Sequence, residues 1–189
     1  MQQGMLFHTV YSPESGAYIE QTHLELRGPL NVAAFEQAWR AVIDRNPILR
    51  TAFVWEGVEE PLQVVFNGVE FQVQVEDWRS KPNAEQELED VLSADRAAGF
   101  VLTDAPLMRI KLLRTGDESF VMIWTHHHLL LDGWSQPLLM QELFALYQAF
   151  DLGKTPALPE RPPFKKYIDW LQEQDAAAAE TYWKNLLKN

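Results

Sequence analysis

The sequence of 189 residues contains no cysteine. Disulfide scaffolds, thiolate zinc sites and cysteine nucleophiles are therefore excluded, and a reducing compartment is compatible with the composition. No apolar run approaches the roughly 20 residues that a membrane-spanning helix needs, and the N-terminus lacks the basic and apolar segments of a secretory signal. These absences predict a cytoplasmic protein that has no membrane partner.

Basic residues are also scarce, since 16 Lys and Arg stand against 27 Asp and Glu and the formal net charge is −11. A surface of this sign repels phosphate backbones, and no basic patch interleaved with aromatic residues offsets it. We therefore expect no nucleic-acid partner, and the acidity is typical of a surface that promotes solubility. Apolar residues make up 47% of the chain and charged residues 23%, which is typical of globular proteins and excludes extended disorder.

The hydrophobic pattern predicts strands mixed with helices. Asn31 precedes an amphipathic helix that ends at Asn46-Pro47, and helical spacing recurs at 84–98 and 135–150. Short β-type runs lie between turn signals, at 18–26, 49–55, 62–66, 70–75, 107–113 and 119–125. This mixture predicts an α/β (α+β) two-layer sandwich in which a mixed β-sheet is covered by helices.

The order of these elements predicts a division of the chain into three parts. Residues 1–150 form the sheet-and-helix core, a proline-rich loop occupies 151–163, and residues 164–189 carry two helices. No internal repeat or low-complexity tract interrupts this order.

Three consecutive histidines, His126, His127 and His128, lie where a buried strand gives way to a helix. Alternation along a strand places His126 and His128 on the face of Trp124, and His127 on the opposite face. A metal site is disfavoured because the remaining two histidines lie far away in sequence and have no ligand-like spacing. Histidines that simply satisfy their hydrogen bonds at a strand end are a further alternative.

Acid–base chemistry is the interpretation that the cluster favours, because imidazole is the side chain that titrates near neutrality. The Asp132-Gly133 pair follows closely. A carboxylate can orient an imidazole or pair with an arginine, and a glycine lets the backbone approach a substrate and present its N–H.

Residues 127–133, HHLLLDG, resemble the HHxxxDG motif of the condensation domains of nonribosomal peptide synthetases, which are relatives of chloramphenicol acetyltransferase. Residues 1–8, MQQGMLFH, resemble the opening motif of that family, and residues 45–53, RNPILRTAF, resemble its RHxxLRTxF segment. Trp134-Ser135 extends the match. On these segments, which follow in the family's order, the chain is identified as similar to a condensation domain with a chloramphenicol-acetyltransferase-like fold.

The resemblance implies roles for individual residues. His128 is then the catalytic histidine, near the thioester carbonyl and the attacking amine, and Gly133 places its backbone N–H at the reaction centre. His127 and Asp132 are mainly structural, and Asp132 is held by an arginine, for which Arg50 is the candidate; a simple surface charge is the equal alternative for Arg50. The position of Asp132 at a strand-to-helix turn further predicts that its carboxylate is buried.

Three further residues are candidates for lining the pocket, namely His126, Trp134 and Ser135. For Trp134 and Ser135, capping and packing of the following helix is the favoured alternative. The double histidine argues against the heterocyclising relatives of the family, which carry aspartates there, and an epimerase relative is less favoured.

A complete condensation domain has two such lobes, and the resemblance implies that this chain is the N-terminal one, excised from a longer protein, with its last helices leading toward an absent C-terminal lobe. The implied reaction joins the acyl or peptidyl thioester on one carrier protein to the α-amine of an aminoacyl thioester on another. The implied partners are the donor and acceptor carrier proteins, the missing C-terminal lobe and neighbouring synthetase domains. The domain itself binds no cofactor, because phosphopantetheine arrives on the carriers.

Two other functions stay open at this point. The first is a CoA-dependent acyltransferase of the chloramphenicol acetyltransferase kind, although in that enzyme the histidine motif lies near the C-terminus. The second is a non-catalytic module that docks a carrier protein. We further expect the isolated lobe to be inactive and to self-associate through its uncovered face.

Overall fold

The computed structural model describes residues 1–188, which divide into two compact units, Met1–Leu158 and a second unit that begins at Pro159. The first unit contains, in chain order, α1 (Gln2–Tyr11), β1 (Ile19–Arg27), α2 (Val32–Arg45), β2 (Thr51–Val54), β3 (Leu62–Val65), β4 (Gln74–Asp77), α3 (Ala84–Ala97), β5 (Met108–Gly116), β6 (Ser119–His127) and α4 (Ser135–Asp151). Short 3-10 turns at Pro13–Ser15 and Pro47–Arg50 precede β1 and β2.

The main sheet of the first unit is mixed and has the strand order β1-β6-β5-β4. β6 lies antiparallel to both of its neighbours, β1 and β5, whereas β4 and β5 are parallel. A separate antiparallel pair is formed by β2 and β3. The predicted mixed sheet covered by helices is therefore confirmed.

Helices cover both faces of β6, and this explains its long apolar run. On one face Met122 and Trp124 belong to the main core, which includes Trp39 of α2 and Leu143 of α4. On the other face, Ile123 belongs to a smaller core with Trp78 and with Leu92 of α3. Every residue of β6 from Phe120 to His127 is buried.

The packing of α2 follows from its sequence. The side chain of Asn31 accepts a hydrogen bond from the N–H of Ala34 at 3.2 Å and caps the helix. Phe35, Trp39 and Ile43 recur every four residues on one face and are almost fully buried. Burial of each such side chain stabilises the fold by about 1.5–3 kcal/mol.

Several strand boundaries differ from the sequence-based expectations, and two of them are informative. The strand predicted at 70–75 forms at Gln74–Asp77, because pairing with β5 and not local apolar content sets its limits. β6 continues beyond Thr125 to His127, since residues 19–27 of β1 pair with its whole length. α1 is a helix for which the sequence provided no prediction.

The second unit contains α5 (Phe164–Gln172) and α6 (Ala176–Leu186). The carboxylate of Asp175 accepts a hydrogen bond from the N–H of Ala178 at 2.8 Å and caps α6. Aromatic side chains are exposed on both helices, including Trp170 and Trp183. Among residues 1–188, no helix combines the length and apolar character that crossing a bilayer requires.

Candidate active site at the end of the central strand

The three histidines occupy the end of β6 and the first position after it. His126 and His127 are buried, with 0% and 1% of their surface exposed, and His128 is half-buried. The backbone N–H of His128 donates to the carbonyl of Tyr18 at 2.8 Å, so the pairing with the β1 side continues past the end of the strand. His128 is therefore the member of the cluster that meets solvent, although its backbone is fixed.

His126 packs on the face that the alternation predicts. Its ring stacks on Trp124, with ring centroids 4.8 Å apart, and Trp124 in turn contacts Trp39 at 5.5 Å. Neither ring nitrogen of His126 has a hydrogen-bond partner among residues 1–188. Burial lowers the pKa of His126 to about 4, helped by the positive charges of His128 and His127, so the ring is neutral at pH 7.

His127 points to the other face, and both of its ring nitrogens are bonded. Nδ1 accepts a hydrogen bond from the N–H of Leu129 at 3.1 Å, so the proton of a neutral ring is assigned to Nε2. Nε2 lies 3.2 Å from Oγ1 of Thr9, and that hydroxyl donates to the carbonyl of Met5 at 2.9 Å. Burial, and then the charge of His128, lower the pKa of His127 to about 4, which favours the neutral form that this bonding requires.

The side chain of His127 also shapes the turn that follows β6. Its Nδ1 holds the N–H of Leu129, and its carbonyl accepts from the N–H of Leu130 at 3.0 Å. The carbonyl of Leu129 accepts from Nε2 of Gln2 at 2.8 Å. The turn that carries His128 is thus held by the hydrogen bonds that His127 accepts and by the hydrogen bond from Gln2 of α1.

Thr9 and Gln2 are site residues that the sequence did not single out. Thr9 is 118 positions from His127, and Gln2 is 127 positions from Leu129. No local spacing signals a contact across that separation. Only the packing of α1, through the buried Leu6, brings them to the histidine turn.

The structure corrects the expectation for Asp132, which is exposed and not buried. Its Oδ1 accepts hydrogen bonds from the backbone N–H of Ser135 at 2.8 Å and from the Ser135 hydroxyl at 2.6 Å. The hydroxyl of Ser135 is the largest cause of a pKa of Asp132 below its usual range. The reason is local, because Asp132 precedes α4 and its carboxylate satisfies free N–H groups of the helix start.

Arg50 does not pair with Asp132 in this structure, which is a second correction. Its Nε donates to the carbonyl of Ile43 at 3.2 Å, its Nη2 to that of Asp44 at 3.3 Å, and its Nη1 to that of Phe66. Ile43 and Asp44 lie in the last turn of α2, where carbonyls have no partner within the helix. The guanidinium is attracted there by those carbonyls and by the negative end of the helix dipole.

The remaining predicted residues follow Asp132. Gly133 is exposed, and a Cβ placed on it meets no atom within 4 Å, so the backbone at this position is open to an approaching molecule. Trp134 is 87% exposed. Ser135 is the first residue of α4, and its hydroxyl donates to Oδ1 of Asp132.

A cleft of about 350 Å³ lies against His127 on the α1 side of the sheet. Thr9, Tyr18, Arg96 and Phe100 contribute to its walls. Because both ring nitrogens of His127 are already bonded, His127 offers no free base to this cleft. Residues 1–188 contain no group of three or more side chains able to hold a metal ion.

The family model named Condensation domain matches residues 1–189 of the chain. The chain belongs to the condensation domain family. The match confirms the resemblance to a condensation domain that the HHLLLDG segment and the two earlier segments predict.

Curated relatives of this condensation-domain chain are peptide synthases. The chain is 47% identical over 189 residues to a linear gramicidin synthase of Brevibacillus parabrevis, covering 99% of this chain and 2% of that protein. It is 39% identical over 189 residues to bacitracin synthase 3 of Bacillus licheniformis, covering 99% of this chain and 3% of that protein. The chain thus spans only a few per cent of the length of the curated relatives it matches.

Solved condensation domains have the same fold. The starter condensation domain of rhizomide synthetase RzmA superposes with a TM-score of 0.88 at 23% identity, covering 100% of this chain and 48% of that chain. The first condensation domain of the CDA synthetase gives a TM-score of 0.88 at 18% identity, covering 100% of this chain and 49% of that chain. This likeness confirms the chloramphenicol-acetyltransferase-like fold.

Proposed function

We propose that this chain is the N-terminal lobe of a condensation domain that forms peptide bonds, and that His128 is its catalytic histidine. The observation that carries the proposal is the exposure pattern of the cluster, in which His126 and His127 are buried and His128 is half-buried. His128 is therefore the histidine of the cluster that we assign to contact with a reactant arriving from solvent, although its Nδ1 is buried and has no hydrogen-bond partner among residues 1–188. His127 has both nitrogens bonded, and His126 has no exposed surface.

The reaction is the aminolysis of a thioester. The α-amine of the acceptor attacks the carbonyl carbon of the donor thioester, the carbon–sulfur bond breaks, and the proton lost by the amine ends on the departing thiol. The products are an amide on the acceptor carrier and a free phosphopantetheine thiol on the donor carrier. No oxidant, metal or further cofactor is required for this balance.

His128 orients the amine or removes its proton. A model α-amine has a pKa of about 7.7–8.0, so a sizeable fraction is neutral at physiological pH. Positioning of two tethered reactants can lower the barrier by roughly 7–11 kcal/mol, whereas a general base contributes typically about 10²–10⁴-fold in rate. Orientation by His128 therefore matters at least as much as proton removal.

The surroundings of His128 suit this role. The two histidines that precede it are neutral at pH 7, because burial lowers their pKa values to about 4. Gly133 follows on an open backbone, and we assign its N–H to the developing negative charge on the thioester oxygen. Asp132 and Ser135 fix the start of α4 beside it.

The proposal includes partners that the family resemblance implies. Donor and acceptor carrier proteins deliver the reactants on phosphopantetheine arms, and a C-terminal lobe forms the opposite wall of the channel. Neighbouring synthetase domains complete the assembly, and the cytoplasm is the proposed compartment. The relatives named above are synthases of linear gramicidin and bacitracin, which is compatible with a role in secondary-metabolite biosynthesis.

The test uses the complete domain from the parent protein, with amide formation measured on carrier-bound substrates and thermal melts measured in parallel. His128→Ala is expected to reduce the rate about 10²–10⁴-fold with a small change in melting temperature. His127→Ala is expected to lower the melting temperature more, because it leaves Thr9 and the N–H of Leu129 without their partner. The exposed His23 of β1 provides a matched control, His23→Ala.

A wild-type rate in His128→Ala would remove the catalytic assignment of His128. Absence of amide formation by the wild-type domain would leave a non-catalytic docking module as the better description. A wild-type melting temperature in His127→Ala would remove the structural role of that ring. Rapid acyl transfer from an acyl-CoA to a free acceptor, with release of the CoA thiol, would favour the acyltransferase alternative.

A second test concerns residues 1–189 produced alone. We expect no condensation, because without an opposite wall the two tethered substrates are not held together and the gain from positioning is lost. Apolar side chains such as Phe7 and Tyr11 of α1 are 53% and 73% exposed, so we also expect self-association at high concentration. Turnover by a strictly monomeric sample, verified by light scattering, would contradict this expectation.

A further inference from the structure

A buried carboxylate lies beneath the histidine cluster and is not part of the proposed chemistry. Asp95 of α3 has only 4% of its surface exposed. Its carboxylate accepts hydrogen bonds from the Thr125 hydroxyl, from Nε2 of Gln21 at 3.2 Å and from Nε of Arg109 at 2.9 Å, and Nζ of Lys111 lies 3.2 Å away. We name these five residues the Asp95 network.

Three residues of the network lie side by side on adjacent strands of the sheet. Thr125 of β6 is the register partner of Gln21 on β1 and of Arg109 on β5. Asp95 lies over this row and connects three adjacent strands to α3. The next position on the same face of β6 is His127, two residues further along.

The position of the network is informative because the two buried residues that precede Thr125 on this face of β6 are apolar. Val121 and Ile123 pack in the smaller core, and the change to polar residues occurs at the row beside the histidines. A buried ion pair gains little over well-packed apolar residues, since desolvation offsets its attraction. A fully bonded polar network does, however, fix the geometry of the elements it joins.

The bonding of Asp95 is strong enough to keep it ionised. Burial by itself raises the pKa of Asp95, but hydrogen bonds from Thr125 and Arg109 outweigh it and hold the pKa below its usual range. The guanidinium of Arg109 makes further contacts. It donates to the carbonyl of Asp95 and to that of Gly99 at 2.8 Å, and lies 4.3 Å from the ring centroid of Phe100.

The network therefore holds two elements near the histidines. Through Thr125 it fixes β6 two residues before His127, and through Arg109 it fixes the segment after α3. Gly99 and Phe100 of that segment line the same cleft as Thr9 and His127. Because Thr125 connects α3 to β6 and Arg109 connects α3 to Gly99, a displacement of α3 would move two elements that border this cleft.

We propose that Asp95 is a positioning residue for the histidine cluster, which acts through Thr125 to set the orientation of His127 and of the turn that carries His128. The catalytic part of this inference rests on the proposed function of His128. The orientation of His127 is independent of it and can be measured without any assay of activity.

The test compares Asp95→Asn and Thr125→Val in the complete condensation domain with wild type. Asp95→Asn keeps the size of the side chain and removes its charge, and Thr125→Val keeps the volume and removes the hydroxyl. The matched control is Asp77→Asn, because Asp77 also binds an arginine, Arg79, but does so at the surface of β4. The measurements are the ¹⁵N chemical shifts of the labelled histidine rings, kcat and KM for amide formation, and the melting temperature.

In both variants we expect shifted ring-nitrogen signals of His127 at temperatures well below the melting transition. We also expect kcat to fall about 10- to 100-fold, the scale typical of a slightly misplaced catalytic group, with a much smaller change in KM. Thr125→Ser, which restores the hydroxyl, is expected to recover most of the wild-type signal. Asp77→Asn is expected to change neither the signals nor kcat.

Wild-type histidine signals and kcat in folded Asp95→Asn and Thr125→Val would overturn the proposal, even if both variants melt at lower temperature. If Asp95→Asn does not fold, the histidine signals and kcat of Thr125→Val, which leaves the charge of Asp95 in place, decide whether the proposal holds. If His128→Ala proves fully active, the proposed function fails, but the signals of His127 still report whether the Asp95 network positions the cluster.

Discussion

The two buried histidines predict a loss of stability at mildly acidic pH. The pKa values of His126 and His127 are lowered from 6.5 to about 4 in the folded chain. Unfolding returns them to the ordinary value, so the unfolded chain binds more protons between pH 6.5 and 4. Stability is therefore fully present above pH 6.5 and is lost as the pH falls towards 4.

The size of the effect follows from these values. Between pH 7.5 and 5.5, each buried histidine is expected to reduce the free energy of unfolding by about 1.35 kcal/mol, and the pair by about 2.7 kcal/mol. A typical domain has a total stability of about 5–15 kcal/mol, so this loss is easily measured. Carboxylates with lowered pKa values, such as Asp95 and Asp132, act only at lower pH.

The assay is urea unfolding at pH 7.5, 6.5 and 5.5 for wild type and His126→Phe. A phenyl ring keeps the stacking on Trp124, and no hydrogen bond from His126 to residues 1–188 is lost. We expect His126→Phe to show about half of the wild-type loss, whereas His23→Asn, which removes an exposed imidazole, should retain the full loss. Constant stability between pH 7.5 and 5.5, or an unchanged pH dependence in His126→Phe, would refute the reasoning.

Further predictions concern single hydrogen bonds. Thr9→Val leaves the buried Nε2–H of His127 unpaired and should destabilise by about 1–3 kcal/mol in urea unfolding, whereas Thr9→Ser should be close to wild type. Asp132→Ala should cost only about 0.5–2 kcal/mol, the scale of a helix cap; a loss of 3–5 kcal/mol, typical of a broken buried ion pair, would contradict its exposure. Asn31→Ala should cost about 1 kcal/mol in the same assay, and an unchanged stability would show that its cap does not contribute.

Most of the secondary structure could be predicted from the sequence because the signals are local. Asn31 and the spacing of Phe35, Trp39 and Ile43 define α2, and the observed helix spans Val32–Arg45. The apolar run from Phe120 to Thr125 identifies a central strand covered on both faces. Hydrogen-bonding capacity and hydrophobic periodicity act over a few residues, so one sequence is enough to read them.

The end of β6 could not be predicted from local sequence signals. A hydrophobic pattern ends at Thr125, but the strand continues to His127 because β1 pairs with it there. The sequence places the three histidines next to one another, and strand alternation separates His126 from His127. The surroundings of each ring depended on the tertiary structure. Thr9 of α1 bonds His127, Trp124 stacks on His126, and the turn after β6 leaves His128 half-buried.

The partners of the charged residues could not be predicted from the sequence either. Sequence and family resemblance suggested that Arg50 holds Asp132, yet each binds the nearest end of a helix, where unpaired backbone groups are concentrated. The helical spacing at 84–98 did not single out Asp95, and the fold makes this residue the centre of a buried network. Composition, helix and strand periodicity and the HHLLLDG motif were determined by the sequence itself, because they depend on neighbouring residues. The partners of each buried polar group were decided by the tertiary structure, because desolvation and hydrogen bonding depend on residues that are distant in the chain and adjacent only after folding.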